Sequence, residues 1–297
     1  MIVRNAPRFA DVLFAMRGSI LPRIAGRLAF IGALSIGAVL LVGARPAMVG
    51  HLSAMPFTLL GLSLSIFMSF RNTACYDRWW EGRRLWGQLV IAARSFARQT
   101  ATLPIAERAP MLEMVCGFAG GLGARLRDRD EAAAIRPWWP GLPDGLPNPT
   151  DAVLREVGRR CLSLVESGII DPIRYSVLEG TLTELAHVQG GCERITTTPL
   201  PFSYSLLLHR IVYLFCCLLP FALAPELGWW VPLPTLVIAY AFFGLDALGD
   251  ELSDPFGDDD NDLPLDALVR TVERDLLAAT GRHDLPPAIQ PEGFVLR

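Results

Sequence analysis

The sequence predicts an all-α membrane protein: four membrane-spanning helices paired as two hairpins, with a helical body outside the bilayer. Three observations carry that prediction. Apolar residues make up 52% of the 297 residues and charged residues only 19%, against about 25% charged in an ordinary soluble domain. The apolar excess is gathered into four uncharged runs instead of being spread along the chain. The rest of the chain repeats its apolar residues with helical spacing, and strand alternation is nearly absent.

The runs come in pairs. Leu28–Ala44 is an uncharged stretch of 17 residues, and after Arg45, Pro46–Phe70 adds 25. Ile211–Pro225 is a run of 15, and after Glu226, Leu227–Leu245 supplies 19. A hydrocarbon core about 30 Å thick takes roughly 20 apolar residues per helix. The second and fourth runs meet this directly. The first and third are short, and flanking Arg27 and Arg210 extend them by reaching to the interface. The expected divisions are 1–27, an N-terminal cytosolic segment; 28–70, the first hairpin; 71–209, a cytosolic helical region; 210–245, the second hairpin; and 246–297, a C-terminal cytosolic segment with an acidic cluster.

Arginine placement sets the orientation. Arg4, Arg8, Arg17, Arg23 and Arg27 precede the first run, and Arg71, Arg78, Arg83 and Arg84 follow the second. The hairpin loops carry only Arg45 and Glu226. Both termini and the middle segment are therefore expected in the cytoplasm, with Trp229 and Trp230 at the outer interface. The long charged lead-in, with no small-residue cleavage pattern after the first run, does not read as a signal peptide.

The middle segment is helical by pattern. Leu85, Leu89, Ala92, Ala93 and Phe96 form one apolar stripe; Leu154, Val157, Cys161, Leu164 and Val165 form another. Between them, residues 137–150 are too rich in Pro and Gly for any helix to cross. The six cysteines make no C-x-x-C and have no histidine at zinc spacing, so they read as reduced structural thiols. A net charge of −3 argues against nucleic acid as a partner.

Chemistry-bearing patterns are sparse. In the second run Gly61, Ser63, Ser65 and Ser69 interleave with large apolar residues, and small residues let membrane helices approach closely. Leu62, Ile66 and Phe70 recur every four positions as one stripe; Leu60, Leu64 and Phe67 make another. Periodicity alone does not decide which stripe meets lipid, protein or a pore. No Asp, Glu or Lys lies within the four runs, which weighs against a proton relay and suits an apolar pathway gated by wetting. After the fourth run comes an acidic turn, Asp254-Pro-Phe-Gly-Asp258-Asp259-Asp260-Asn261-Asp262. Oxygen ligands on such a turn suit a hard cation such as Ca²⁺, although the spacing is not that of an EF-hand. Glu184 and His187 read as a helix-surface pair. No nucleophile triad or phosphate loop is present, so no enzyme is expected.

Several short motifs resemble the bestrophin family and its bacterial homologues, nearly end to end. They are Arg17-Gly18-Ser19-Ile20, Phe70-Arg71-Asn72 with Tyr76 and Arg78-Trp79-Trp80, and Asp171-Pro172-Ile173. Further ones are Glu184 to Arg194, Thr198-Pro199-Leu200-Pro201-Phe202, and Asp254-Pro255-Phe256-Gly257 with its following acids. The resemblance implies a homopentameric ion channel with one axial pore. Leu62, Ile66 and Phe70 would form its hydrophobic neck, and Ile173 a cytosolic aperture. It places the chain in the bacterial inner membrane as a multi-pass protein whose partners are its own copies, lipid and permeating ions. Asp254, Asp259 and Asp262 become the candidate Ca²⁺ ligands, with no other cofactor required. Asp171 beside Ile173, together with the association of bacterial members with monovalent cations, makes conduction of Na⁺ or K⁺ the expected function. The alternatives are a chloride or anion channel gated by Ca²⁺ and, from another class, a membrane-anchored scaffold or sensor without ion flux.

Overall fold

The computed structural model describes residues 1–3, 18–45 and 54–297. Arg4, Arg8, Arg17 and His51 lie outside the described residues, as does most of the first hairpin loop. Helices in chain order are α1 (Leu21–Ala44), α2 (Ala54–Gln99), α3 (Ile105–Leu126), α4 (Glu131–Ile135), α5 (Pro149–Glu166), α6 (Pro172–Thr197), α7 (Phe202–Leu227), α8 (Pro232–Ser253) and α9 (Leu265–Ala279). Extended pairing among the described residues is limited to isolated bridges of Val295 with Ile2 and Glu292. The protein is an all-α, multi-pass membrane protein with a separate helical region.

The chain forms two compact units. One holds Pro199–Asp254 with the described part of Ala6–Trp79; the other holds Trp80–Thr198 and Pro255–Arg297 with the described N-terminal residues. Residue 71, the expected edge of the first hairpin, is not a helix boundary. No proline occurs from Phe57 to Leu103, so nothing stops α2 from continuing to Gln99.

The first unit contains α1, the start of α2, α7 and α8. Among the described residues, the helices long and apolar enough to cross a membrane are Leu21–Ala44, Phe202–Trp230 and Pro232–Ser253. The apolar part of α2 that is described begins at Ala54 and reaches Phe70. Ile24 and Ile31 of α1, Leu64 and Met68 of α2, Val212 and Phe215 of α7, and Ala239 and Phe243 of α8 build the shared core. Helix α7 contains Pro220 and Pro225 in its interior; each lacks the N–H that would have bonded the carbonyl four residues earlier. Gly228 takes φ 52° at its end, a backbone setting open to glycine at little cost. Trp229 and Trp230 follow in a 3-10 turn, 68% and 72% exposed.

In the second unit α3 is the central helix, with residues such as Leu112, Val115, Phe118 and Leu122 fully buried. The expected stripes face inward: Leu85, Leu89 and Phe96 on α2, and Leu154, Val157, Cys161 and Leu164 on α5. Caps set the helix starts. Asp130 accepts from the Ala133 N–H and Asn148 from the Asp151 N–H, each at 3.0 Å. The cysteines are all free thiols, and burial pushes Cys161 and Cys192 up to about 12, which makes them poor nucleophiles. The proline-rich tail after α9 folds back on its own unit: Arg270 and Arg274 donate to the carbonyls of Pro287 and Pro286.

Close packing makes a testable contrast between two helix glycines. A Cβ on Gly121 would sit 2.7 Å from Ile135 Cδ1 and 2.8 Å from Thr150 Oγ1, whereas one on Gly180 would meet nothing within 4 Å. Gly121→Ala should lower the stability of the detergent-solubilised protein by about 1–3 kcal/mol. Gly180→Ala should raise it by roughly 0.5–1 kcal/mol. Thermal melts of the two variants check both signs.

Candidate pore-lining helix and its charge anchor

Helix α2 presents two faces. Leu64 and Met68 are buried, at 2% and 0% exposure. Leu62, Ile66 and Phe70 are 62%, 49% and 63% exposed. Positions two residues apart are separated by about 200° around a helix, so packing Leu64 and Met68 inward turns the Leu62 stripe outward. The rival stripe is split, since Leu64 is buried and Phe67 is exposed. Tyr204 on α7 donates its hydroxyl to the Phe67 carbonyl at 3.1 Å. Ser65 returns its own hydroxyl to Gly61 O at 2.8 Å.

Directly after Phe70 comes the anchor. Arg71 is 2% exposed, among the largest fully buried side chains. Its guanidinium donates to the Asp246 carboxylate and to the Asp246 carbonyl, each at 3.2 Å, and pairs with Asp250. Asp246 is fully buried and also meets His209 Nδ1 at 2.7 Å and Arg27 at 3.5 Å. Arg27 does not simply reach to an interface: its guanidinium lies over the Tyr213 and Phe243 rings. The cluster thus ties α1, α2, α7 and α8 at one end. Two further bonds fasten α2 to α8: Asn72 Nδ2 to Leu245 O and Arg78 Nε to Ser253 O, both 3.1 Å. Gly249 makes room for this, because a Cβ there would lie 2.6 Å from Asn72 Oδ1.

Sequence reasoning did not single out this cluster. The signal lay at the run ends: His209 two residues before Ile211, Asp246 immediately after Leu245. Among the described residues, His209, Asp246 and Asp250 bring donor atoms within 4.8 Å of one another, a grouping that could coordinate a divalent cation.

The other expected site residues lie in separate places. Ile173 is 80% exposed on the first turn of α6. Asp171 caps that helix, accepting from the Arg174 N–H at 2.9 Å. This bond holds its carboxyl below the usual carboxylate range. Arg174 in turn donates to Gln99 O at 3.2 Å and pairs with Thr102. In the acidic turn, Asp262 is buried and accepts from the Asp259 N–H at 2.8 Å, while Asp254 ends α8. Asp258 and Asp266 pair with Arg127 and Arg129. Arg127 also donates to the carbonyls of Phe256 and Leu263. Glu184 and His187 are both exposed on α6.

Comparison with known proteins bears on this geometry. The family described as Bacterial/Fungal Bestrophin protein matches residues 1–278. A voltage-dependent anion channel-forming protein of Mesorhizobium japonicum is 44% identical over 98% of this chain and 95% of its own length. One of Escherichia coli is 37% identical over 98% of each chain. The crystal structure of a bestrophin homolog from Klebsiella pneumoniae superposes with a TM-score of 0.84 and 40% identity, covering 88% of this chain and 99% of that one. The Mesorhizobium and Escherichia relatives overturn the expected cation preference, since they are named as formers of anion channels. The structure supplies a physical reason. Asp171, on which the cation argument rested in part, caps its helix in the ionised form and interacts with the charge of Arg174, so the two charges flanking Ile173 offset one another. A match of the family along nearly the whole chain, and of the fold at high identity, leads to one conclusion: the chain belongs to the bestrophin family, a family of channel proteins and not of enzymes.

Proposed function

We propose that the protein is an anion channel of the bacterial inner membrane, formed by five copies of the chain around an axial pore, with both termini cytosolic. The observation that carries this reading is the outward apolar stripe of α2. Packing of Leu64 and Met68 leaves Leu62, Ile66 and Phe70 at 62%, 49% and 63% exposure in the single chain. Repeated around an axis, they make three narrow apolar rings. Such rings strip part of an ion's hydration and close by dewetting, so small changes in radius switch conduction. Exposed Ile173 supplies a further constriction. An apolar ring selects no sign of charge; anion preference rests on the relatives' names. In the acidic turn Asp258 serves as an anchor, pairing with Arg127 and Arg129.

Reversal potentials of the purified protein in planar bilayers under a KCl gradient test the function directly. The expected value lies toward the chloride equilibrium potential; a value at the potassium equilibrium potential, or no current, would overturn the reading. Leu62→Ala, Ile66→Ala and Phe70→Ala should each widen a ring and raise flux several-fold, and Ile173→Ala should change flux while assembly is retained. Arg71→Met should cost about 3 kcal/mol, the low end for breaking a buried pair, because Arg27 and His209 still face Asp246. A lowered melting temperature together with altered current would link the anchor to the neck.

A further inference from the structure

We infer that His209, Asp246 and Asp250 form a regulatory site for a divalent transition-metal ion of the Zn²⁺ class, which competes with Arg71 for the Asp250 carboxylate. The inference extends the channel reading but stands on its own geometry. Three donors from two helices converge: the His209 imidazole from α7 and two carboxylates one helical turn apart on α8. His209 Nδ1 is 2.7 Å from Asp246 Oδ2, and Nε2 is 3.7 Å from Asp250 Oδ1. A tetrahedral ion with ligands at about 2.0–2.1 Å sets neighbouring ligand atoms about 3.3 Å apart. The two contacts use different ring nitrogens, of which one binds a given ion; taking one ligand atom per residue, all three lie within 4.8 Å of one another, so the exposed Asp250 carboxylate must turn toward the nitrogen that binds.

The members differ in freedom. Asp246 is fully buried and fixed by Arg71 and Arg27. His209 is 30% and Asp250 48% exposed, which gives an ion a way in and leaves one coordination position facing outward. One imidazole with two carboxylates suits borderline ions such as Zn²⁺. It does not suit Ca²⁺, which takes six to eight oxygens.

Arg71 occupies the place of the cation in the metal-free protein. Its guanidinium spans both carboxylates and is 2% exposed, held also by the Asp246 carbonyl, whereas Asp250 is 48% exposed. Asp250 is therefore the part that moves. Turning to the ion, it leaves Arg71 with Asp246 alone, held by the carboxylate and the carbonyl. Arg71 follows Phe70 in α2, so the exchange changes how firmly the last residue of the apolar stripe is held.

The test measures binding apart from flux. Full-length protein in detergent, cleared of tags and metal, is titrated with ZnCl₂ by calorimetry and by equilibrium dialysis with elemental analysis. One Zn²⁺ per chain is expected, with affinity reduced roughly tenfold or more in His209→Ala and in Asp250→Asn. Melting temperature and elution volume show that each variant is folded, and His209→Gln, which keeps a hydrogen-bond donor toward Asp246, replaces the alanine variant if that one is not. Affinity equal to wild type in a folded His209 variant would overturn the site. Displacement of Zn²⁺ by equimolar Ca²⁺ would overturn its chemical class. In bilayers, Zn²⁺ added on the Arg71 side should change wild-type current and leave that of His209→Gln unchanged by the metal. Binding that passes these tests without current in either protein would strike at the channel reading and not at the site.

Discussion

A single buried guanidinium holds the membrane unit in register. Arg71 lies among apolar helices, where an unpaired charge would be costly, and it is tolerated because Asp246 and Asp250 meet it. Those partners sit one turn apart on α8, so the pairing fixes the rotation of α2 as well as its height. Once that rotation is fixed, Leu64 and Met68 must pack inward and Leu62, Ile66 and Phe70 must not. The outward stripe is thus a consequence of where a charge can be satisfied, one residue beyond its end.

The helical region reaches the same kind of solution with a different economy. Its helices α4, α5 and α6 start at side-chain caps, and its loops are tied by arginine. Arg125 bridges Glu131 and Glu193, Arg127 closes the acidic turn, and Arg174 joins the start of α6 to Gln99 and Thr102. Each of these arginines also donates to a carbonyl or lies against a second carboxylate, and multiple partners of this kind give a fork-shaped donor more than an isolated surface pair would. Phe256 and Leu263, fully buried on either side of the acids, supply the apolar part of the same clasp.

Much of this could be read before the structure was in hand, and the reasons are local. Uncharged runs marked α1, α7 and α8 because length and apolarity are properties of a segment alone. The inward stripes of α5 and the later part of α2 followed from spacing. The Leu62 stripe could be named but not oriented, since every residue near it was apolar or small and only contacts from Val212, Phe215 and their neighbours decided the face. The cluster at His209 and Asp246 was hidden for the opposite reason. Its members are 37 and 175 positions apart along the chain, and each, taken singly, looks like an ordinary polar residue closing an apolar run. The sign of the permeant ion was misjudged partly because Asp171 was counted alone, without the Arg174 charge that follows Ile173.

The two prolines inside α7 give that helix an uneven stiffness. Where Pro220 and Pro225 stand, the carbonyls of Cys216 and Phe221 have no amide to bond, so flexing the rod there breaks nothing. The stretch from Phe202 to Phe215, which carries Tyr204 and His209, keeps its full ladder. A disturbance at the histidine end can therefore be absorbed before it arrives at Trp229 and Trp230, which follow the opposite end of the helix.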